Sequence, residues 1–242
     1  MIVCHEYKFI FLKTRKTAGT SIEAALAPLC GPSDIITPIS PKDEPLRGAD
    51  AGPRNYRGHF NPLPELFVPG CDKTRTIRDA WRGRKYFNHM SAAQICNRLG
   101  RATWDSYFKF CFERNPWDKM VSRFHWDNRG KEVPLTWDEF LAKGEFRSDV
   151  GLYTIDNELA VDFVGQYDRL QEDLNVAMNR LGIAAEIKLP RAKSGHRPSS
   201  EGRKNEDHKK DKSSYSGYYS DRDRAIVAAA FAREIDLFGY ED

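Results

Sequence analysis

The stretch that decides the fold is FLKTRKTAGTSIEAAL, residues Phe11–Leu26. It begins at the end of an apolar run, YKFIFLK (residues 7–13), whose aromatic and β-branched residues predict a short buried strand. Three basic residues, Lys13, Arg15 and Lys16, then stand directly before a small, hydroxyl-rich turn. A strand needs no positive charge to turn into a helix. The charge is expected if something negative binds in this turn. The alternative is a solvated basic strand end followed by a glycine-containing turn.

The segment after the turn predicts a helix that begins near Thr20. Thr20 or Ser21 can cap this helix, and Glu23 is then expected in its first turn, where a carboxylate suits the helix dipole. Four apolar residues recur at helical spacing and predict one buried face: Ile22, Ala25, Leu26 and Leu29. The basic turn is therefore expected to join a buried strand to an amphipathic helix.

A second strand-to-helix turn is predicted further along the chain, in FKFCFERNPWDKMVS (residues 108–122). Its phenylalanines alternate with other residues, as in a strand. Pro116 suits the first turn of a helix, and Asn115 is a suitable cap. The apolar face of that helix is predicted to contain Met120, Val121 and Phe124. A basic residue, Arg114, again stands between strand and helix.

Strands that alternate with helices predict an α/β fold, with a mostly parallel central sheet flanked by helices. Ser91–Gln94 and Thr136–Glu139 have the pattern of capping boxes, and AVDFVGQYD (residues 160–168) predicts a further strand. A last helix is predicted from Ser220. Sheets of this kind bind ligands beyond the carboxyl ends of their strands, so both basic turns are expected at one sheet edge.

Both turns carry groups that can bind phosphate. A turn that enters a helix presents unpaired backbone N–H groups, Gly19 lets the backbone approach a ligand, and Lys16 adds a full charge. The common nucleotide loop has the order G-x-x-x-x-G-K-[ST], whereas here the lysine precedes the glycine. Arg114 can hold a phosphate with two N–H groups, and Ser122 lies about two helical turns further on. The alternative for Arg114 is an ion pair with a helix carboxylate such as Asp118.

Taken in order, KTRKTAGTS (13–21) and RNPWDKMVS (114–122) resemble two motifs of the sulfotransferases that use 3′-phosphoadenosine-5′-phosphosulfate (PAPS). The resemblance is nearest to the Golgi-type and bacterial branch that sulfates carbohydrates. It extends over residues 9–124 and, more loosely, to FGY at 238–240. It implies a P-loop-like sulfotransferase fold. It also implies transfer of a sulfuryl group to a hydroxyl of a carbohydrate or glycolipid, which leaves 3′-phosphoadenosine-5′-phosphate (PAP).

The resemblance also implies roles for single residues. Lys16 would bind the 5′-phosphate and stabilise the leaving PAP as charge develops. Arg114 and Ser122 would hold the 3′-phosphate. The rest of the first loop would surround the 5′-phosphate: Arg15, Thr17, Ala18, Gly19, Thr20 and Ser21. Many family members have a proline where this chain has Arg15, which either adds charge at the site or points outward.

Sulfuryl transfer to a hydroxyl also needs a base for the departing proton, usually a histidine. In the heparan 2-O-sulfotransferases a catalytic histidine precedes the 3′-phosphate motif, which implies His89 in NHMSAAQI. His59, in YRGHF, is the second candidate, and the carboxylate of Glu113 is another. No group of residues has the spacing of metal ligands, so no metal is expected.

Composition sets the broad class. The chain has 242 residues, of which 40% are hydrophobic and 30% charged, which is typical of a globular protein. The net charge of +3 is too small to indicate nucleic acid. Five cysteines without a C-x-x-C pair predict reduced thiols rather than disulfides or structural zinc. No signal peptide or apolar span is evident, so we expect a cytoplasmic protein without a membrane span.

We expect one sulfotransferase domain, residues 1–242, in which residues 31–88 form an irregular excursion on the acceptor side. Residues 190–214 predict a basic, mobile loop that is either solvated or a lid closed by Arg191, Lys193 and Arg197. YSGYY (215–219) would support that lid or stack on sugar rings.

Two other functions stay open at this point. A nucleotide kinase of similar architecture would need magnesium to bridge phosphates. A non-enzymatic module for anionic polymers would bind through residues 190–214, with a steep dependence on salt.

Overall fold

The apolar runs form short strands around a central sheet. The computed structural model describes residues 1–68, 71–184, 187–190 and 213–242. Within these residues the strands are β1 (Ile2–Cys4), β2 (Phe9–Phe11), β3 (Ile35–Ile36), β4 (Phe108–Glu113), β5 (Thr154–Ile155), β6 (Glu158–Leu159) and β7 (Phe163–Gln166). The predicted strands 7–13, 108–112 and 160–168 are confirmed as β2, β4 and β7. Strand β1 was not predicted.

Eleven α-helices are described in the same ranges. They are α1 (Gly19–Leu26), α2 (Lys73–Trp81), α3 (Ala92–Leu99), α4 (Arg101–Ser106), α5 (Pro116–Asp127), α6 (Trp137–Ala142), α7 (Val150–Tyr153), α8 (Leu170–Arg180), α9 (Ser213–Ser216), α10 (Asp221–Ala230) and α11 (Ala232–Phe238). None of the described helices is long and apolar enough to cross a membrane.

The central sheet has the strand order β3-β1-β2-β4-β7. Strand β2 pairs with β4 and β4 with β7 in parallel, whereas β1 is antiparallel to both β2 and β3. Within the described sheet, four strands therefore run in one direction and β1 runs against them. The α/β class and the mostly parallel sheet are confirmed. Because β2 and β4 are parallel neighbours, their carboxyl ends lie at the same sheet edge.

The described chain divides into two compact units. The first comprises Met1–Glu113 and Gly151–Ala192, and the second comprises Arg114–Val150 and Lys193–Asp242. The first unit holds the central sheet, whose fully buried phenylalanines at positions 9, 11, 110 and 112 pack with Ile22 and Leu26 of α1 and Leu174 of α8. In the second unit Trp117 and Val121 of α5 pack against Val227 and Phe231.

Local helix signals were mostly right. Ser91 with Gln94 and Thr136 with Glu139 form complete capping boxes, and Asn115 caps α5. Two expectations about helices were wrong. Helix α1 begins at Gly19, with Ala18 as its cap and no side-chain cap. The predicted last helix is interrupted at Phe231, which separates α10 from α11. Residues 31–88 are mainly irregular, and they contain β3 and α2.

Candidate functional site

The turn between β2 and α1 has an unusual backbone. Lys16 has φ 63° and Ala18 has φ 57°, so two non-glycine residues adopt the left-handed conformation within three positions. Each such residue costs about 1–2 kcal/mol relative to an ordinary helical conformation. Turns in which left-handed residues alternate with residues of other conformations direct successive N–H groups into a concave site that binds anions. The sequence predicted this turn from its charge and hydroxyl groups, not from its backbone.

Two threonines tie the turn to the sheet. Thr14 donates its hydroxyl hydrogen bond to the carbonyl oxygen of Phe112 in β4. The hydroxyl oxygens of Thr14 and Thr17 are 2.8 Å apart, and Thr17 is fully buried. The backbone N–H of Leu12 also donates to Phe110 at 2.9 Å. The hydroxyl of Thr17 therefore contributes to the support of the turn, in addition to its predicted place beside a phosphate.

Of the three basic residues in the turn, Lys13 points into the protein. Its side chain is 7% exposed, and Nζ lies 2.5 Å from Oε2 of the fully buried Glu23. Arg47 Nη2 lies 3.5 Å from the same oxygen, and the amino group of Met1 donates to Oε1. Burial opposes ionisation of Glu23, but the amino group of Met1 and Lys13 hold its pKa below the ordinary value. Lys13 thus belongs to a buried charge cluster, whereas Arg15 and Lys16 are partly exposed.

Gly19 is needed for close packing in this cluster. A Cβ atom at Gly19 would lie 2.7 Å from Cγ of Lys13 and 3.1 Å from its Cε. Lys13 cannot easily move away, because Glu23 holds its Nζ. The prediction that Gly19 serves the approach of a ligand missed this requirement. Glu23 stands in the second turn of α1 rather than the first, and its partners there, Lys13 and Arg47, were not predicted.

The structure brings His89 to the same turn. Nδ1 of His89 lies 2.9 Å from the carbonyl oxygen of Lys13. A carbonyl oxygen can only accept, so Nδ1 carries the proton, and in the neutral ring Nε2 holds the lone pair. The neighbouring Asn88 fixes this segment, since it donates to Pro38 and accepts from the hydroxyl of Thr37 at 3.0 Å. The two predicted catalytic residues, Lys16 and His89, are therefore linked through the backbone of one turn.

The other candidate bases have different surroundings. His59 is exposed. Glu113 is fully buried at the end of β4 and accepts a hydrogen bond from the hydroxyl of Tyr153 at 3.1 Å. Buried in this way, Glu113 is less suited to meet a substrate hydroxyl than a partly exposed histidine.

The second predicted turn begins where β4 ends. Asn115 accepts hydrogen bonds from the backbone N–H groups of Trp117 and Asp118, as predicted for a cap. Arg114 donates from Nε to Oδ2 of Asp118 at 2.6 Å, and both side chains are buried. The alternative considered for Arg114, a pair with Asp118, is therefore present. Ser122 is half-buried on α5.

Part of the predicted lid lies outside the residues that the structure describes. Arg191, Lys193 and Arg197 are not among the described residues. In YSGYY, Tyr215 and Tyr219 are buried in the apolar core of the second unit, and the hydroxyl of Tyr219 donates to Trp117 at 2.8 Å. These two tyrosines therefore stabilise the second unit, and their buried rings are not exposed for stacking on sugar rings.

A separate cluster of thiols lies beside β1. The sulfur atoms of Cys4 and Cys30 and a carboxylate oxygen of Asp34 lie within 4.8 Å of one another. Asp34 accepts from the backbone N–H groups of His5 at 2.6 Å and Gly31 at 2.8 Å, so it orders the local turn. A hydrogen bond with Cys4, together with burial, raises the pKa of Cys30, which favours the protonated thiol. Five free cysteines are described.

The chain is similar to a known archaeal protein. A protein of Archaeoglobus fulgidus, described as an uncharacterized protein, is 36% identical over 104 residues. The aligned part covers 40% of this chain and 87% of the archaeal protein. No family model matches the chain, and no solved structure matches it.

Proposed function

We propose that this chain, which belongs to the same family as the uncharacterized Archaeoglobus fulgidus protein, is a sulfotransferase that uses PAPS. The acceptor is a hydroxyl group of a carbohydrate or glycolipid. The observation that carries the proposal is the turn between β2 and α1, where Lys16 and Ala18 both adopt positive φ values. Unfavourable backbone of this kind is found preferentially where a turn serves a ligand.

The first turn suits the 5′ end of the donor. PAPS supplies an activated sulfuryl group whose transfer leaves negative charge on the 5′-phosphate. The backbone N–H groups at the start of α1 and the ammonium group of Lys16 stabilise that charge. The other turn residues assigned to this phosphate are Arg15, Thr17, Ala18, Gly19, Thr20 and Ser21. The buried Lys13–Glu23 pair supports the turn from the interior of the first unit.

His89 acts as the base in this proposal. Its hydrogen bond to the Lys13 carbonyl sets the tautomer, so Nε2 receives the proton of the acceptor hydroxyl. Because the same turn that carries Lys16 anchors the ring, the base and the charge-stabilising group are held by one backbone segment. That arrangement favours in-line placement of the acceptor and the leaving phosphate.

Arg114 and Ser122 are assigned to the 3′-phosphate. The bond from Nε to Asp118 fixes the plane of the Arg114 guanidinium, and a fixed plane suits two-pronged recognition of phosphate. The pair with Asp118 is thus compatible with nucleotide binding, because Asp118 orients the group that binds. No metal ion has a part in the proposal.

Calorimetric titration with PAP and with 5′-AMP tests the proposal. The two ligands differ by the 3′-phosphate, and charge-assisted hydrogen bonds contribute about 1.5–3 kcal/mol each. PAP should bind at least about tenfold tighter than 5′-AMP, and Arg114→Ala should remove the difference. Arg123→Ala is the matched control, since Arg123 pairs with Asp127 on the same helix in the same spacing.

Lysine variants test the first turn in the same assay. Lys16→Ala should weaken both nucleotides about equally, because both carry the 5′-phosphate. Lys8→Ala should weaken neither; Lys8 also has a positive φ of 51°, but it stands before β2 instead of after it. Equal binding of PAP and 5′-AMP by the unaltered protein, or strongest binding of ATP with magnesium, would contradict the sulfotransferase proposal.

A further inference from the structure

The segment before His89 exposes large apolar side chains. Phe67, at the end of the 3₁₀ turn Leu63–Phe67, is 84% exposed, and Trp81, at the end of α2, is 85% exposed. Leu63 is 60% exposed and Ile77 is 54% exposed. Single exposed hydrophobic residues are ordinary on a protein surface, but four within twenty positions of one unit form a concentration that needs a physical account.

Helix α2 has a sharply divided surface. Thr76 and Asp79 are each 1% exposed and face the interior. Lys73, Ile77 and Trp81 follow one another at every fourth residue, so they form a single stripe on the opposite, exposed side. The apolar residues of α2 thus point away from the core that they would normally help to build.

Buried hydrogen bonds fix the elements that carry these exposed side chains. Glu65 is fully buried and accepts two hydrogen bonds from Arg98, at 2.6 and 2.5 Å. The hydroxyl of Thr76 in α2 donates to the same carboxylate at 3.5 Å, which connects the helix to the turn Leu63–Phe67. Arg75 stacks 4.0 Å above the ring of Phe87. Glu65, Thr76 and Arg98 are thus buried in this contact, whereas Ile77 and Trp81 of α2 are exposed.

The charge around the exposed side chains is positive. Residues 71–85 contain six basic side chains and two acidic ones. The acidic Asp79 is buried and lies 3.5 Å from Arg75. Lys73, Arg78 and Arg82 are exposed and have no ion-pair partner in the part of the chain that the structure describes. Exposed basic side chains therefore accompany Ile77 and Trp81 on α2 and directly after it, where they can meet an anionic partner.

We propose that these residues form a docking face for an anionic phospholipid bilayer. The Trp81 face comprises Leu63, Phe67, Ile77 and Trp81 with the basic Lys73, Arg78 and Arg82. Aromatic and aliphatic side chains enter the boundary between headgroups and acyl chains, while lysine and arginine contact lipid phosphates. An anionic polysaccharide would use the basic residues and leave Leu63 and Ile77 in water, so the lipid surface accounts for more of the composition.

The proposed face contacts one leaflet of the bilayer. Its apolar side chains lie on the nine-residue helix α2 and on one 3₁₀ turn, far fewer residues than the about 20 of a membrane-spanning helix. Binding through this face is peripheral, and it weakens as salt screens the basic residues.

Vesicle sedimentation tests this inference, and it is carried out without nucleotide, so its result is independent of the proposed sulfotransferase activity. The full chain is mixed with vesicles of phosphatidylcholine alone or phosphatidylcholine with phosphatidylglycerol. We expect binding to the anionic vesicles and little to the neutral ones. Phe67→Ala with Trp81→Ala should reduce binding at least about tenfold, because two aromatic side chains lose their burial in lipid.

A matched control is Val133→Ala, which removes an apolar side chain that is 84% exposed on the second unit and should leave binding unchanged. Brominated lipid should quench tryptophan fluorescence of the unaltered protein, and Trp81→Phe should lose most of that quenching. Arg78→Gln with Arg82→Gln should weaken binding to anionic vesicles and flatten its salt dependence.

Three results would overturn the inference. The first is equal sedimentation with neutral and anionic vesicles, or with neither. The second is undiminished binding by the Phe67 and Trp81 double variant. The third combines two observations: the unaltered protein binds no vesicles, and in gel filtration it is a dimer whereas the double variant is a monomer. That result would make the Trp81 face an interface between copies of this chain.

Discussion

Replacement of Glu23 by glutamine tests whether buried charge supports the first turn. The Glu23 side chain is fully buried, with Lys13 Nζ at 2.5 Å and Arg47 Nη2 at 3.5 Å from one carboxylate oxygen. Glutamine keeps the shape of the side chain but removes its negative charge. Lys13 and Arg47 then remain buried without that charge beside them. Removing one partner of a buried ion pair costs about 3–5 kcal/mol. In a protein of this size that corresponds to a fall of about 6–20 °C in Tm.

The pH dependence follows from the direction of the pKa shift. The folded-state pKa of Glu23 lies below the ordinary value of 4.5. The carboxylate therefore stabilises the folded protein above that value, and this contribution is lost as the pH falls through the lower folded-state pKa. The difference in stability between the unaltered protein and Glu23→Gln should be complete near neutral pH and should narrow as the solution becomes strongly acidic.

Urea denaturation followed by tryptophan fluorescence measures both effects. The exposed Glu158 provides the control, since Glu158→Gln makes the same chemical change at the surface and should alter stability by less than about 0.5 kcal/mol. If Glu23→Gln unfolded at the same urea concentration as the control, or if its deficit stayed constant into acid, the charge cluster would not stabilise the turn as argued.

Three other changes have defined outcomes. Under the proposed function, His89→Gln should lower kcat for sulfuryl transfer by about 10²–10⁴-fold while calorimetry shows unchanged PAP affinity, and a matching loss of PAP affinity would contradict its proposed role as a base. Gly165→Ala would place a Cβ 2.7 Å from Cδ1 of Phe112, so thermal denaturation should show a loss of about 1–3 kcal/mol; an unchanged Tm would mean that the phenylalanine ring can move. Asn115→Ala removes the cap of α5 and its donation to Glu241 at 2.8 Å, which should cost about 0.5–2 kcal/mol in urea denaturation; an equally stable variant would show that water replaces the cap.

The sequence predicted those elements whose signals are local. Strand β4 follows from alternating phenylalanines, and α5 follows from Asn115 and Pro116. The capping box of Ser91 and Gln94 places α3 in the same way, because cap and partner are three residues apart. In each case the residues that determine the conformation lie within a few positions of one another.

Long-range contacts explain what the sequence left unpredicted. Lys13 looked like one of three residues facing an anion, but Glu23 and Arg47 draw it into the interior. The start of α1 was placed too late because a hydroxyl residue is the usual cap, whereas here Ala18 takes a left-handed conformation. Helix α2 was hidden because its apolar residues face outward, so its pattern does not resemble that of a helix packed on a core.

The order of the sheet explains why the first turn depends on a strand that lies far along the chain. Strands β2 and β4 are parallel neighbours, and the turn after β2 is tied to β4 by the bonds from Leu12 to Phe110 and from Thr14 to Phe112. Strand β4 ends at Glu113, so Arg114 is the next residue along the chain. A shift of β4 would therefore disturb the anchorage of the first turn. Under the proposed function, mutations within β4 that displace the carbonyl of Phe112 should for this reason weaken the binding of 5′-AMP, which carries the 5′-phosphate assigned to that turn.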